Sequence, residues 1–268
     1  MGIRRPMTPD SVLEDGSLET TQSETRPPLM NAKPDMSDHL IVTIDGPAGT
    51  GKTTVAHQLA ARLQLDSLDT GAMYRCITLL AIEEGLAPSD PGPILEALTQ
   101  HVIDFDWEPT PPQITLDGRR VDPRLREADV NDLVSRIASL PAVRDRMVQA
   151  QREIAGRHPR IVTEGRDQGS VVFPDADVRF YLDAAASVRA HRRATELQSS
   201  GKTVDEETIL SSIENRDRLD RERTDSPLRV PQGAIRIDTG SLSVEQVVDA
   251  LEHAVREHLK SAASGGGV

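Results

Sequence analysis

Eight consecutive residues, Gly46, Pro47, Ala48, Gly49, Thr50, Gly51, Lys52 and Thr53, set two glycines, a lysine and a hydroxyl at the spacing G-x-x-x-x-G-K-[ST]. They follow the apolar run Leu-Ile-Val-Thr-Ile-Asp and open a stretch with helical spacing. That context suits a polyphosphate. Glycines let the backbone curl its N–H groups around an anion, and a helix N-terminus adds the positive end of its dipole. Lys52 is placed to reach the β- and γ-phosphates of a nucleotide, and the Thr53 hydroxyl to ligate Mg²⁺. Gly46 through Thr54 are therefore expected to hold the phosphates of a nucleotide. A glycine-rich turn without a ligand is the plainer alternative, but the strand before and the helix after favour the phosphate site.

A bound polyphosphate leaves open what is done with it. A guanine-nucleotide switch needs an Asn-Lys-x-Asp element, and the sequence has none. A motor ATPase would carry an aliphatic strand ending in paired carboxylates; the nearest candidate ends in Glu164, followed by Gly165, Arg166 and Asp167. Other segments carry groups suited to a second phosphate-bearing substrate. Asp69-Thr70-Gly71-Ala72-Met73-Tyr74-Arg75 is one, and another is Arg216, Arg218, Arg221 and Arg223, interleaved with Asp217, Asp220 and Glu222. Donor and acceptor phosphates repel each other, so a site for both needs this density of fixed positive charge. Alone, the arginine run also fits a solvated helix face with pairs such as Asp217 and Arg221. Arg189, Arg192 and Arg193 stay open between lid residues and surface charge. Asp69 stays open between a helix cap and an organiser of the phosphate site. Tyr74 and Met73 read more readily as core than as contacts, and no histidine spacing argues for a metal site or a base.

These residues need a frame. At 268 residues the chain suits one α/β core carrying an insertion or lid. The runs 40–45, 160–164, 178–182 and 234–238 are too continuously apolar to alternate in and out, which points to parallel strands covered on both faces. Helices are expected over 53–63, 71–84, 129–139, 142–156, 187–198, 205–222 and 243–259, with Pro141 marking a restart. Between 102 and 122, alternating runs around a proline-rich turn read as a small antiparallel meander. The expected architecture is a three-layer P-loop α/β sandwich with a parallel sheet, an inserted antiparallel acceptor-binding subdomain (about 97–131) and a helical lid (about 187–225), all within 39–260. Residues 1–38 lack any periodicity that could bury a face and read as a disordered tail, and 261–268 as a flexible end.

Composition narrows the partners. Aromatic residues make up 2% of the chain, so the core must be aliphatic and recognition by stacking is not expected. A net charge of −12 argues against nucleic acid, and no apolar run is long enough for a membrane span. With seven acidic residues against four basic ones, the first 38 residues do not read as a targeting segment, so a cytoplasmic monomer is expected. The single cysteine, Cys76, excludes an internal disulfide. Of 31 cations only Lys33, Lys52, Lys202 and Lys260 are lysines; the rest are arginines, whose planar fork suits phosphate.

Six segments together, IDGPAGTGKTT, LDTGAMYR, EGRDQGSVVFPDA, FYLDAAASVRAHRR, RDRLDRER and LSVEQVV, resemble the bacterial cytidylate kinases over about residues 40–258. The resemblance implies transfer of the γ-phosphate of ATP to CMP or dCMP, and the insertion resembles that family's enlarged acceptor-binding subdomain. It also implies roles. Thr70 and Arg75 match the segment that holds the acceptor nucleotide, and Ser135 and Arg144 match sugar and base contacts. Arg166 resembles the phosphate-binding arginine and Asp167 the base-reading carboxylate. Arg216 and Asp220 resemble the pair on the ribose, and Arg223 an active-site arginine that closes in with the lid. Catalysis then falls to Lys52, Arg166 and Arg223. Thr70 stands where serine is common and Glu164 where aspartate is common. A kinase preferring UMP or AMP, and a regulatory protein that kept only the loop, are the alternatives. Arg75, Arg166 and Asp167 argue against the second.

Overall fold

Every strand of the main sheet ends on or beside a carboxylate. In the computed structural model, which describes residues 39–199, 201 and 203–265, β1 (Leu40–Asp45) ends in Asp45 and β2 (Asp66–Asp69) in Asp69. β6 (Arg160–Gly165) carries Glu164 at its penultimate position, while β7 (Val178–Asp183) and β8 (Ile235–Asp238) end in Asp183 and Asp238. The five strands pair in parallel in the order β2-β6-β1-β7-β8, with Asp45 opposite Gly165 and Asp69 opposite Glu164. Parallel pairing puts all these ends on one edge, where open α/β sheets bind ligands.

Both faces are covered, which explains the continuous apolar runs. On one face α1 (Lys52–Leu63) and α8 (Val244–Gly265) pack Val55, Leu59, Val248 and Leu251 against Val42, Ile44 and Phe180. On the other, α2 (Thr70–Glu83) and α5 (Pro141–Arg157) contribute Met73, Ile77, Val143 and Met147 to a core with Leu68 and Ile161. The result is the expected three-layer sandwich. Among the described residues no helix is long and apolar enough to cross a membrane.

The insertion is a three-stranded antiparallel sheet of β3 (Ile103–Asp106), β4 (Gln113–Leu116) and β5 (Arg119–Arg120), followed by α4 (Ala128–Ile137). Phe105, Ile114 and Leu116 join the α2 side of the core. Beyond β3, Trp107 stacks on His158 with ring centroids 3.8 Å apart, and His158 Nδ1 lies 2.7 Å from an Asp66 carboxylate oxygen. The insertion is thereby seated against the start of β2.

Three features depart from the sequence expectation. β2, Asp-Ser-Leu-Asp, is too short and polar to read as a strand, and becomes one by pairing with β6. α3 (Pro91–Gln100) opens on Pro-Gly-Pro, which reads as loop punctuation; Asp90 caps it by accepting the Gly92 N–H, and Ile94, Ala97 and Leu98 bury its inner face. α8 continues past the expected boundary at 260, through Gly265. Ala262 and Ala263 favour helix, and the Ser261 and Ser264 hydroxyls donate to the carbonyls of Glu257 and Lys260, one turn back. The expected tail, 1–38, and residues 266–268 lie outside the described residues. The region expected to form a lid folds as two helices, α6 (Ala186–Ser199) and α7 (Glu206–Glu222).

Candidate active site

The glycines of the phosphate loop are required by its geometry. At Gly46, with φ of 150°, an added Cβ would lie 2.1 Å from the Leu182 carbonyl oxygen of β7, so no side chain fits. Gly49 and Gly51 hold φ of 82° and 86°, in the left-handed region. Gly51 is the N-cap of α1, whose first turn has no acidic residue and which receives no side-chain capping hydrogen bond from it. Its leading N–H groups suit an anion.

Lys52 is 5% exposed and donates from Nζ to the Pro47 carbonyl at 2.9 Å. Burial, aided by the nearby Arg166 charge, brings its ammonium down to about 7, a group that gains strongly from a phosphate beside it. The Thr53 hydroxyl donates to Glu164 Oε1 at 2.6 Å. Asp69 caps α2 by accepting the Ala72 N–H, and burial followed by the charge of Glu164 pushes its carboxyl up to about 7. Thr53, Glu164 and Asp69 form an oxygen-only donor set with two carboxylates in mutual repulsion. A hard divalent cation that keeps most of its water fits such a set. Asp69, an even choice from sequence, is both a cap and a member of this group.

The residues expected on the acceptor side converge across the same edge. Asp220, 1% exposed, accepts from Arg166 Nε at 2.8 Å and from Arg223 Nη2 on its other oxygen. Burial opposes its ionisation, yet Arg166, Arg223 and Arg216 hold it below the ordinary carboxylate range. Arg216 is brought down to about 10 by burial and by Arg166, and its Nε is buried without a partner among the described residues. Three arginines on one carboxylate leave an excess of positive charge that an anion would complete. Arg75 donates to the Asn131 side chain (2.6 Å) and to the Leu125 carbonyl (3.1 Å), tying α2 to the insertion. Ser135 is half-buried one turn after Asn131 on α4. Arg144 donates to Asp167 and to the Ala138 carbonyl, with its guanidinium 5.6 Å from the Tyr74 ring centre; both members of the Arg144–Asp167 pair are buried. Thr70 turns its hydroxyl to the Glu164 carbonyl at 2.7 Å.

A buried strut that no motif in the sequence signals joins α6 to α7. Arg189, open between two roles, is buried and grips Asp217 through two hydrogen bonds of 2.6 and 3.2 Å, while also donating to the Ala48 carbonyl of the phosphate loop at 2.9 Å. Arg221, the partner of Asp217 in the alternative reading of a solvated helix face, stands 3.7 Å from it, and Arg189 is much closer at 2.6 Å. Nothing in a spacing of 28 residues signals such a pair. Also missed was the cavity of about 450 Å³ beside the loop, walled by Val55, Leu242 and Val247 with Arg192, Arg193 and Thr239. Its apolar wall and polar rim suit a purine nucleoside.

The sequence profile described as Cytidylate kinase matches residues 42–257. A cytidylate kinase of Rhodococcus jostii (strain RHA1) is 42% identical over 218 residues, spanning 81% of this chain and 95% of that protein. One from Caldanaerobacter subterraneus subsp. tengcongensis is 42% identical over 219 residues, 82% of this chain and 96% of that protein. The bifunctional pantoate ligase/cytidylate kinase of Synechococcus sp. (strain JA-3-3Ab) is 43% identical over 223 residues, which span 82% of this chain and 41% of that larger protein.

Proposed function

The chain belongs to the cytidylate kinase family, and from that premise we propose a division of labour among the residues of its site. The protein is an ATP-dependent nucleoside monophosphate kinase that transfers the γ-phosphate of ATP to CMP or dCMP, giving ADP and CDP or dCDP. In our reading Gly46 through Thr54 wrap the donor phosphates and the cavity beside Val55 and Val247 takes the adenosine.

Lys52, Arg166 and Arg223 carry the transfer. No covalent intermediate is needed, since aligning the acceptor oxygen with the γ-phosphorus and stabilising the charge spread over the transferring group is sufficient. Lys52 gains a full charge as the phosphates arrive and holds the leaving oxygen. Arg166 and Arg223, already set by Asp220, neutralise the acceptor phosphate and the group in flight. Arg75 contributes a further phosphate contact, and Arg216 with Asp220 takes the ribose. Ser135 and Thr70 border the sugar and base. Closing α6 and α7 over the site excludes water, a competing acceptor. Mg²⁺ would be held by Thr53, with Glu164 and Asp69 behind it. When bound, it neutralises the β- and γ-phosphates. A cytoplasmic monomer working without nucleic acid or membrane is part of the same proposal, and the net charge of −12 disfavours a polyanionic partner.

The observation that carries the choice of base is the buried Asp167–Arg144 pair. Cytosine presents an amino donor at N4 where uracil presents an acceptor, so a fixed carboxylate attracts one and repels the other. Arg144 serves ring acceptors that both pyrimidines share. A site built to accept this hydrogen bond rejects the wrong base by orders of magnitude. Asp167→Ala should therefore lower kcat/KM for CMP far more than for UMP, with KM for ATP little changed. An unchanged CMP-to-UMP ratio would remove Asp167 from this role.

A further inference from the structure

Asp45 is the last residue of β1, immediately before the phosphate loop, and its side chain is fully buried. Its two carboxylate oxygens accept separate backbone hydrogen bonds, from Gln168 N–H at 2.7 Å and Gly169 N–H at 2.8 Å. Those are the two residues that follow Asp167. The turn they open is tight: the N–H groups of Val171 and Val172 fold back onto the Asp167 carbonyl, and a Cβ on Gly169 would meet Thr43 Oγ1 at 2.8 Å. The Gln168 side chain is locked as well, accepting from the Thr163 hydroxyl at 2.7 Å and donating to Gln151 at 3.0 Å. Past the β1–β6 ladder, which ends at Gly165, the segment bearing Arg166 and Asp167 is tied to the donor-side strand by the Asp45 carboxylate.

A fully buried carboxylate is a costly way to satisfy two N–H groups that neutral carbonyls could satisfy. Desolvation pushes this acid up to about 7; the charge of Asp167 adds to the rise and that of Lys52 opposes it. What a carboxylate offers over a carbonyl is two acceptors on one rigid fork, fixing two successive peptide planes at once. We infer that Asp45 is a positioning residue for acceptor recognition: by gripping the N–H groups of Gln168 and Gly169 it fixes where Asp167, and through it Arg144, meets the base relative to the donor loop. The inference rests on the base-reading role of Asp167. Asp45 touches no substrate and acts through the turn.

The test compares Asp45→Asn, Asp45→Ala and Asp167→Ala with the wild type, measuring kcat and KM for CMP, UMP and ATP, together with the thermal midpoint. The amide of Asp45→Asn keeps the shape but turns an N–H donor toward one of the two donors, leaving a buried group unpaired. The expected result is a fall in kcat/KM for CMP of about tenfold to a hundredfold, with the CMP-to-UMP ratio down by about fivefold or more and KM for ATP within about twofold. Asp45→Ala should move the ratio the same way. A residue that only supports the fold would lower both pyrimidines and ATP together. If Asp167→Ala collapses the ratio while both Asp45 variants leave it intact, this inference is overturned and the role of Asp167 stands. If Asp167→Ala itself leaves the ratio intact, the base-reading role falls and this inference falls with it. If neither Asp45 variant melts cooperatively, Asp45 is a stability residue and the inference is equally overturned.

Discussion

Lys52 is held where it is least comfortable without its ligand. A lysine whose pKa drops from 10.5 to about 7 on folding is bound to fewer protons in the native state than in the unfolded one. Its contribution to stability therefore rises with pH between 7 and 10.5, on the order of 1 kcal/mol per pH unit. Lys52→Met, similar in length and uncharged, should raise the melting temperature of the nucleotide-free protein at pH 7, and the difference should shrink as pH climbs toward 10. The same variant should lose about a thousandfold or more in kcat, because the charge at the bridging oxygen is gone. Melting curves at several pH values and a coupled ADP assay check both halves. A variant less stable than wild type at pH 7 would contradict the burial argument. At this scale the phosphate loop was legible because its chemistry is contiguous: Gly46 to Thr53 are neighbours in the chain. Arg144 and Asp167 came through family resemblance. Asp45 and Thr239 gave no signal, since what they do depends on strands that meet only in the folded sheet.

At the level of elements, α6 and α7 are joined by the Arg189–Asp217 pair, which also reaches the loop through Ala48. Removing one partner of a buried pair strands the other charge, at a cost of about 3–5 kcal/mol. Asp217→Asn should therefore lower the unfolding free energy by roughly that amount and raise KM for ATP, since Arg189 no longer has a fixed position against the loop. Arg189→Lys should fail to rescue function, because an ammonium cannot span two carboxylate oxygens and a carbonyl in one plane. Denaturant titration and ATP kinetics measure this. A midpoint unchanged in Asp217→Asn would make the pair incidental. Periodicity revealed the long helices and the apolar strands, since a face buried along many residues leaves a repeating pattern. It did not reveal β2, whose four residues are defined by the partner strand, nor α3, whose capping aspartate and first-turn proline look like a turn.

For the molecule as a whole, the family match begins at residue 42 and the relative from Rhodococcus jostii aligns over 95% of its own length to 81% of this chain. A chain beginning at His39 should keep kcat/KM and melting temperature within about twofold and about 2 °C of the full-length protein. A larger loss in either would give the first 38 residues a part in the fold or the reaction. The layered architecture was legible from the alternation of apolar runs and helical stretches. The seating of the insertion was not, because it rests on Trp107, His158 and Asp66, which come from three separate regions of the sequence. That contact has an optical consequence. Trp107 is the only tryptophan in the chain, so indole emission reads a single place in the molecule, the joint between the insertion and the base of the sheet. Any change in its intensity or wavelength when CMP is added to the unlabelled enzyme is a direct signal from that joint.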